Sequence, residues 1–235
     1  MKLKICLLLI VLNSSFVFAQ NGYAYYKKQL SSGDDEITNE YMKQALKRLK
    51  SQEYELSFNK NSALFKQVEE MSVENNPVVE AFTQSISQFT GEVYFDRTKK
   101  LVIHKNDFSG TTFLIQKNNV NWVLTRDTLK IDKYLCYKAT TTQTIENSEG
   151  LHKLKITAWY VPEISLPYGP DAFGGLPGLI LQLENNGILT TIKKIEFLNN
   201  ETLKISLPTK GKEITEEKFN AIVKKTFENR KDNKN

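Results

Sequence analysis

From Tyr54 to Phe197 the chain is cut into short apolar runs by small polar clusters, and that rhythm constrains the fold more than any other feature. Tyr54–Phe58 alternates in polarity, Asn59-Lys60-Asn61 reads as a turn, and Ala63-Leu64-Phe65 follows as the second arm of a hairpin. Val93–Phe95, Leu101–Ile103, Thr111–Ile115 and Asn121–Leu124 are further short runs. Asp96–Lys100, Lys105-Asn106-Asp107 and Lys117-Asn118-Asn119 separate them as turns. Leu151–Val161 is a stronger strand, with Leu154, Ile156, Ala158 and Tyr160 on one face and Lys153, Lys155, Thr157 and Trp159 on the other. Asn185-Asn186-Gly187 reads as a hairpin turn between Leu179–Leu183 and Ile188–Phe197. Closely spaced strands with short turns predict a mainly β protein: a single curved antiparallel sheet, a meander or half-barrel.

Helical spacing is confined to a few places. Tyr23–Leu30 reads as a first strand, and Asp34-Asp35-Glu36 supply cap and first-turn acids for a helix over Glu36–Ser51, with Ile37, Tyr41, Met42, Ala45, Leu46 and Leu49 recurring at helical spacing. A C-terminal helix is predicted after Thr215-Glu216-Glu217, with Phe219, Ile222, Val223 and Phe227 on one face. Val79, Phe82, Ile86 and Phe89 fit a further helix after Asn76-Pro77, where tertiary context decides.

The N-terminus is built differently. Lys2 and Lys4 precede the apolar run Ile5–Leu12, and Val17-Phe18-Ala19 resembles a cleavage site, the pattern of a secretory signal peptide over residues 1–19. Asn13-Ser14-Ser15 stops the run well short of a membrane span, so the protein is expected not to span a membrane. Removing residues 1–19 from the 235 leaves 216, read as one domain, 20–235. Losing Lys2 and Lys4 lowers the net charge from +5 to +3, which argues against a nucleic-acid partner. Only Cys136 remains, so no internal disulfide forms, and the strand-like setting of Tyr134–Ala139 points to a packed thiol. Export places the protein in the periplasm or outside the cell.

FGGLPGLILQLE, residues 173–184, packs three glycines and a proline against an apolar run. A Walker loop needs Lys and Ser or Thr after its last glycine, but Leu179-Ile180 follows Gly178. A dinucleotide fingerprint needs a strand before the glycines and a helix after them, and neither is present. The backbone reading is simpler. Pro167, Pro170 and Pro177 fix φ, Gly174, Gly175 and Gly178 free it, and Leu176 is the apolar residue between them. The loop then delivers Leu179, Ile180 and Leu181 as a covered apolar strand. No cofactor is expected.

Gly175-Leu176-Pro177-Gly178-Leu179-Ile180 is the signature of the GLPGLI family of bacterial envelope proteins, which this chain resembles. The segments Tyr54–Phe65, Tyr134–Ala139, and Ala158-Trp159-Tyr160 leading to Tyr168-Gly169-Pro170 are similar to that family as well, with Lys133 where a glycine is usual. The resemblance implies an exported β-rich protein, often encoded near outer-membrane receptors, and implies no activity.

Three constellations bear on chemistry. Trp159, Tyr160, Tyr168 and Phe173 cluster in sequence around the Pro/Gly loop and either line a groove for an apolar or glycan ligand or fill the core, the core being favoured. Glu163, Asp171 and Glu184 bracket the same loop, and a hydrolase would need two of them facing across one cleft. His104, His152 and Cys136 would have to converge through the fold to hold a metal. The expected function is therefore an exported, non-catalytic ligand- or partner-binding envelope protein, an accessory to an outer-membrane transporter. Carboxylate hydrolysis and metal handling are the alternatives. Oligomeric state and ligand identity are not written in the sequence.

Overall fold

The computed structural model describes residues 21–32, 37–69, 76–147, 150–199 and 203–232. Residues 1–19 of the expected signal peptide and the expected helix cap at Asp34–Glu36 lie outside them. Twelve strands form one sheet: β1 (Gly22–Leu30), β2 (Tyr54–Phe58), β3 (Ser62–Gln67), β4 (Glu92–Asp96), β5 (Leu101–Phe108), β6 (Thr111–Gln116), β7 (Val123–Ile131), β8 (Tyr134–Asn147), β9 (Gly150–Val161), β10 (Leu179–Asn185), β11 (Ile188–Phe197) and β12 (Lys212–Thr215). Among the described residues three helices accompany them: α1 (Glu40–Ser51), α2 (Pro77–Ser87) and α3 (Glu216–Asp232). The strand order is β12-β6-β5-β4-β3-β2-β1-β11-β10-β9-β8-β7. The mainly β, single-sheet expectation holds. One detail is corrected: the sheet is mixed, because β12 runs parallel to β6 while the other pairs are antiparallel. A four-residue edge strand of Lys-Glu-Ile-Thr carries too little apolar pattern to be read in advance.

The sheet is strongly curved. His104 on β5 and Gln143 on β8 line one cleft, although their strands are eight positions apart in the sheet order. In a flat sheet that separation would be about 38 Å at ~4.8 Å per strand. Register bulges at Tyr25/Tyr26 in β1 and at Ile180/Gln182 in β10 lie near the centre of the order, where extra residues add bend and twist.

Ladder partners share a face, so the inner surface can be followed from strand to strand. Ala24, Tyr26 and Lys28 of β1 lie beside Tyr54, Leu56 and Phe58 of β2, then Ala63 and Phe65 of β3, then Val93 and Phe95 of β4. All are buried and most belong to one apolar cluster, onto which the loop after β9 sends Ile164, Leu166 and Tyr168. A second cluster joins Ala139, Ile156, Ala158 and Tyr160 to Phe173, Leu176, Ile180 and Leu183.

Several local signals act as expected. Asn186 (φ 47°) and Gly187 (φ 77°) make the β10–β11 hairpin with both central residues at positive φ, the turn whose twist matches the strands. Asn76 caps α2 through its side chain, which accepts from Val78 N and Val79 N. α1 starts later than expected: Asn39 is its cap, accepting from Met42 N at 3.0 Å, so the helix begins at Glu40. Lys105-Asn106-Asp107 is not a turn. It continues β5, since Lys105 pairs with Glu92 on one side and Asn106 and Asp107 keep the ladder with β6. The turn falls at Ser109 (φ 50°) and Gly110 (φ 77°) instead. Among the described residues no helix is long and apolar enough to cross a membrane.

Candidate functional site: a cleft walled by the Pro/Gly loop

The loop from Pro162 to Gly178 is fixed mainly by its own backbone. Leu179 N donates to Ile164 O (3.0 Å), Ile180 N to Tyr168 O (3.0 Å) and Gly175 N to Pro167 O (2.9 Å). The loop therefore folds back along the start of β10 and hydrogen-bonds to it. Side chains hold it from outside as well: Trp122 Nε1 donates to Gly174 O (2.9 Å), and Tyr26 OH donates to Ile180 O (2.8 Å) at the start of β10, where the loop ends. Gly178 is required by close approach, since a Cβ there would lie 2.2 Å from Val161 O. Gly175 is required by conformation: its φ is +84° with open space around it. Pro170 and Leu176 are buried and Pro177 is exposed. Leu179, Ile180 and Leu181 are fully buried in β10.

One charged pair anchors this loop to the first strand. The alternation of β1 turns Lys28 inward with Ala24 and Tyr26, and it is 1% exposed. Its ammonium donates to Asp171 Oδ1 (2.6 Å) and to Ser87 O (2.9 Å), and sits 4.9 Å and 5.2 Å from the ring centres of Tyr54 and Phe89. A buried ammonium needs such partners, because desolvation alone costs several kcal/mol. Asp171 reaches it from φ 55°, a conformation Asp tolerates better than most residues. Lys28 takes Oδ1, so Asp171 still offers Oδ2 as an acceptor.

Asp171 also lines a cleft of ≈ 610 Å³, together with His104, Gln143, Phe173, Asn185 and Glu216. Each wall has a definite support. Ala172 and Phe173 come from the Pro/Gly loop. The opposite rim is the start of α3, where Glu216 binds Lys117 Nζ and accepts from Asn118 N (3.1 Å), and Glu217 accepts from Asn118 Nδ2 (2.6 Å). His104 stacks on Phe89 with an interplanar angle of 10°, and its Nε2–H donates to Thr90 O at 2.7 Å. That contact sets the tautomer and leaves the lone pair on Nδ1. Burial pushes the imidazole below its ordinary pKa of 6.5, which keeps it neutral at physiological pH. The Asn185 side-chain oxygen is buried without a hydrogen-bond partner among the described residues.

The four aromatics singled out in the sequence do not form one groove. Tyr168 and Phe173 belong to different core clusters, 1% and 7% exposed. Tyr160 is also buried, against Tyr137. Trp159 points to the opposite face of β9, where Lys138 Nζ lies 5.7 Å from its ring. Each of the first three reaches a different hollow: Phe173 the cleft, Tyr168 a hollow of ≈ 510 Å³ near Arg97 and Lys100, and Tyr160 a shallow one of ≈ 420 Å³ beside Glu163.

The three acids are likewise apart. Glu163 and Glu184 are exposed, and Asp171 is committed to Lys28. Glu163 and Asp171 line separate hollows, so the two-carboxylate arrangement is not assembled. No group of three or more metal-ligating side chains occurs among the described residues. Cys136 is buried in β8 with its thiol pushed up to about 11 by burial, which makes it a packed, protonated sulfur. Lys28, Gln143 and Asn185 were not visible as site residues in the sequence. For Lys28 a signal existed, since it shares strand parity with Ala24 and Tyr26.

A family model described as a protein of unknown function (Porph_ging) matches residues 147–182, which cover β9, the Pro/Gly loop and the first residues of β10. No curated protein matches. Among solved structures, PNGF-II in the P21 space group is similar at a TM-score of 0.52 and 16% identity over 86% of this chain. PNGF-II in the C2 space group is similar at 0.53 and 14% over 87%. The chain spans about a third (33%) of the length of PNGF-II in both cases. At these identities the likeness is one of fold.

Proposed function

We propose that this is an exported envelope protein that binds a small ligand in the cleft beside the Pro/Gly loop and performs no chemistry on it. The observation that carries this reading is the cleft itself: ≈ 610 Å³, within the ~300–1,000 Å³ usual for ligand sites, with a wall held by the buried Lys28–Asp171 pair. A costly buried ion pair that fixes one wall of a cleft is what pre-organised binding requires. The separation of Glu163, Asp171 and Glu184 supports binding over hydrolysis. Export rests on the pattern of residues 1–19, and the periplasm or cell exterior follows from it. Native mass spectrometry of protein isolated from its host tests the reading. The expected result is a stoichiometric non-covalent adduct that Asn185→Trp, which fills the cleft, removes. A bare mass for the wild type contradicts it, and a ligand chemically altered on incubation contradicts the non-catalytic part.

A protein partner is favoured by a separate observation. β7 is an open sheet edge, and Val123 (65% exposed), Leu124 (53%) and neighbouring Leu135 (53%) stand on or beside it. An exposed edge with apolar side chains is a template for strand addition. An accessory role at an outer-membrane transporter would use this edge and leave the cleft free. Val123→Lys with Leu124→Lys is expected to abolish co-purification of a transporter without changing the ligand adduct.

A further inference from the structure

We propose that the ligand of the cleft is a neutral, hydroxyl-rich molecule of the saccharide class, held through Asn185, Asp171 and His104; this rests on the binding reading above. The composition of the cleft carries the argument. Seven side-chain amides, Asn185, Gln143 and Asn118 among them, and three threonine hydroxyls line it, against one lysine and three carboxylates. Three of the four charges have a counter-charge: Lys117 is paired with Glu216, and Asp171 with Lys28. The fourth, Glu217, is exposed at the rim and accepts from the neutral Asn118 amide. An anion would have to displace one of the paired carboxylates, and a cation finds an unpaired charge only at that exposed rim. A neutral polar ligand has none to displace and meets mostly amides and hydroxyls, which both donate and accept.

The Asn185 amide narrows the class further. Its side-chain oxygen is buried with no partner among the described residues, a costly state unless a donor reaches it. A hydroxyl group donates and accepts, so it satisfies that amide in either orientation, which an ammonium or a phosphate does not. In the same lining, His104 offers Nδ1 and Asp171 offers Oδ2, two further acceptors for hydroxyl hydrogens. Phe173 supplies apolar surface in the same lining. Polar groups beside an aromatic ring suit a pyranose, which has a hydroxyl rim and C–H faces.

The test is isothermal titration of the mature protein, residues 20–235, with maltose, cellobiose and chitobiose, and separately with spermidine and inorganic phosphate. At least one disaccharide is expected to bind, and both Asn185→Leu and Gln143→Ala are expected to weaken it tenfold or more. Gln143 is exposed on β8, so Gln143→Ala keeps the test valid should Asn185→Leu disturb the fold. Binding of spermidine or phosphate in place of the disaccharides overturns the saccharide assignment and leaves the binding reading intact. Disaccharide binding unaffected by either variant overturns the site. If no probe binds, the saccharide assignment fails, and the mass of the host-isolated protein decides separately whether the cleft holds anything.

Discussion

Lys28 and Asp171, separated by 143 residues of chain, meet at 2.6 Å beneath the Pro/Gly loop, and this contact ties the first strand to the wall of the cleft. Lys28 is 1% exposed, while Asp171 keeps one edge toward the cleft. Removing one partner strands the other. Asp171→Asn is expected to cost about 3–5 kcal/mol, because it leaves an ammonium buried without its counter-charge. Lys28→Met with Asp171→Asn is expected to recover most of that loss, since the desolvation penalty goes with the charge. Urea midpoints of the two singles and the double measure this, and strictly additive effects would contradict it.

The loop glycines separate close approach from conformation. Gly178→Ala drives a Cβ to 2.2 Å from Val161 O, and backbone on both sides is held by strand pairing, so a loss of about 2–3 kcal/mol is expected. Gly175→Ala meets nothing within 4 Å and loses only about 1 kcal/mol through its φ of +84°. Melting temperatures of the two variants should fall in that order. The reverse order would mean that backbone freedom, not space, governs the motif.

How the motif reads in sequence depends on the range of the interaction. Leu179–Leu181 was legible as a covered strand because the apolar run and the Gly/Pro punctuation before it are local. So were the β2–β3 hairpin, β9 and the Asn186-Gly187 turn, each set by period-2 alternation or by positive φ. What failed was long-range. Nothing near Lys28 announces Asp171, and a lysine in a strand is ordinarily placed outward. β12 finds β6 in parallel across about a hundred residues, with only Ile214 as its apolar signal. Lys105–Asp107 looked like a turn because its polarity was visible and its ladder partners on β4 and β6 were not. The cleft lies between strands eight places apart, so its lining residues share no motif.

His104 links the cleft to pH. Burial holds its folded-state pKa below the ordinary 6.5, so the unfolded chain takes up a proton first as pH falls. The stabilisation is complete above about pH 6.5 and is lost progressively below it. The difference between wild type and His104→Gln isolates this imidazole from other groups that titrate as pH falls. Wild type is expected to lose more stability than His104→Gln between pH 7.5 and 5.5, and parallel losses would contradict the assignment.

Cys136 gives the opposite sign. Its thiol rises from the ordinary 9.0 to about 11 on folding, so the folded state keeps its proton longer. This contribution is complete below pH 9 and is lost as pH rises toward 11. Iodoacetamide at pH 8 is expected to label Cys136 at least tenfold faster in urea than in buffer. Equal rates would show that β8 opens readily.

Backbone amide chemical-shift mapping of the mature protein during titration with maltose, cellobiose and chitobiose tests the central claim most directly. The account predicts saturable shifts concentrated at Ala172–Gly174, Gln143–Thr144 and Asn185, with Leu135 and Pro162–Glu163 region residues unmoved. Shifts centred on Leu135, Tyr160 and Glu163, or none at the Pro/Gly loop, would contradict it.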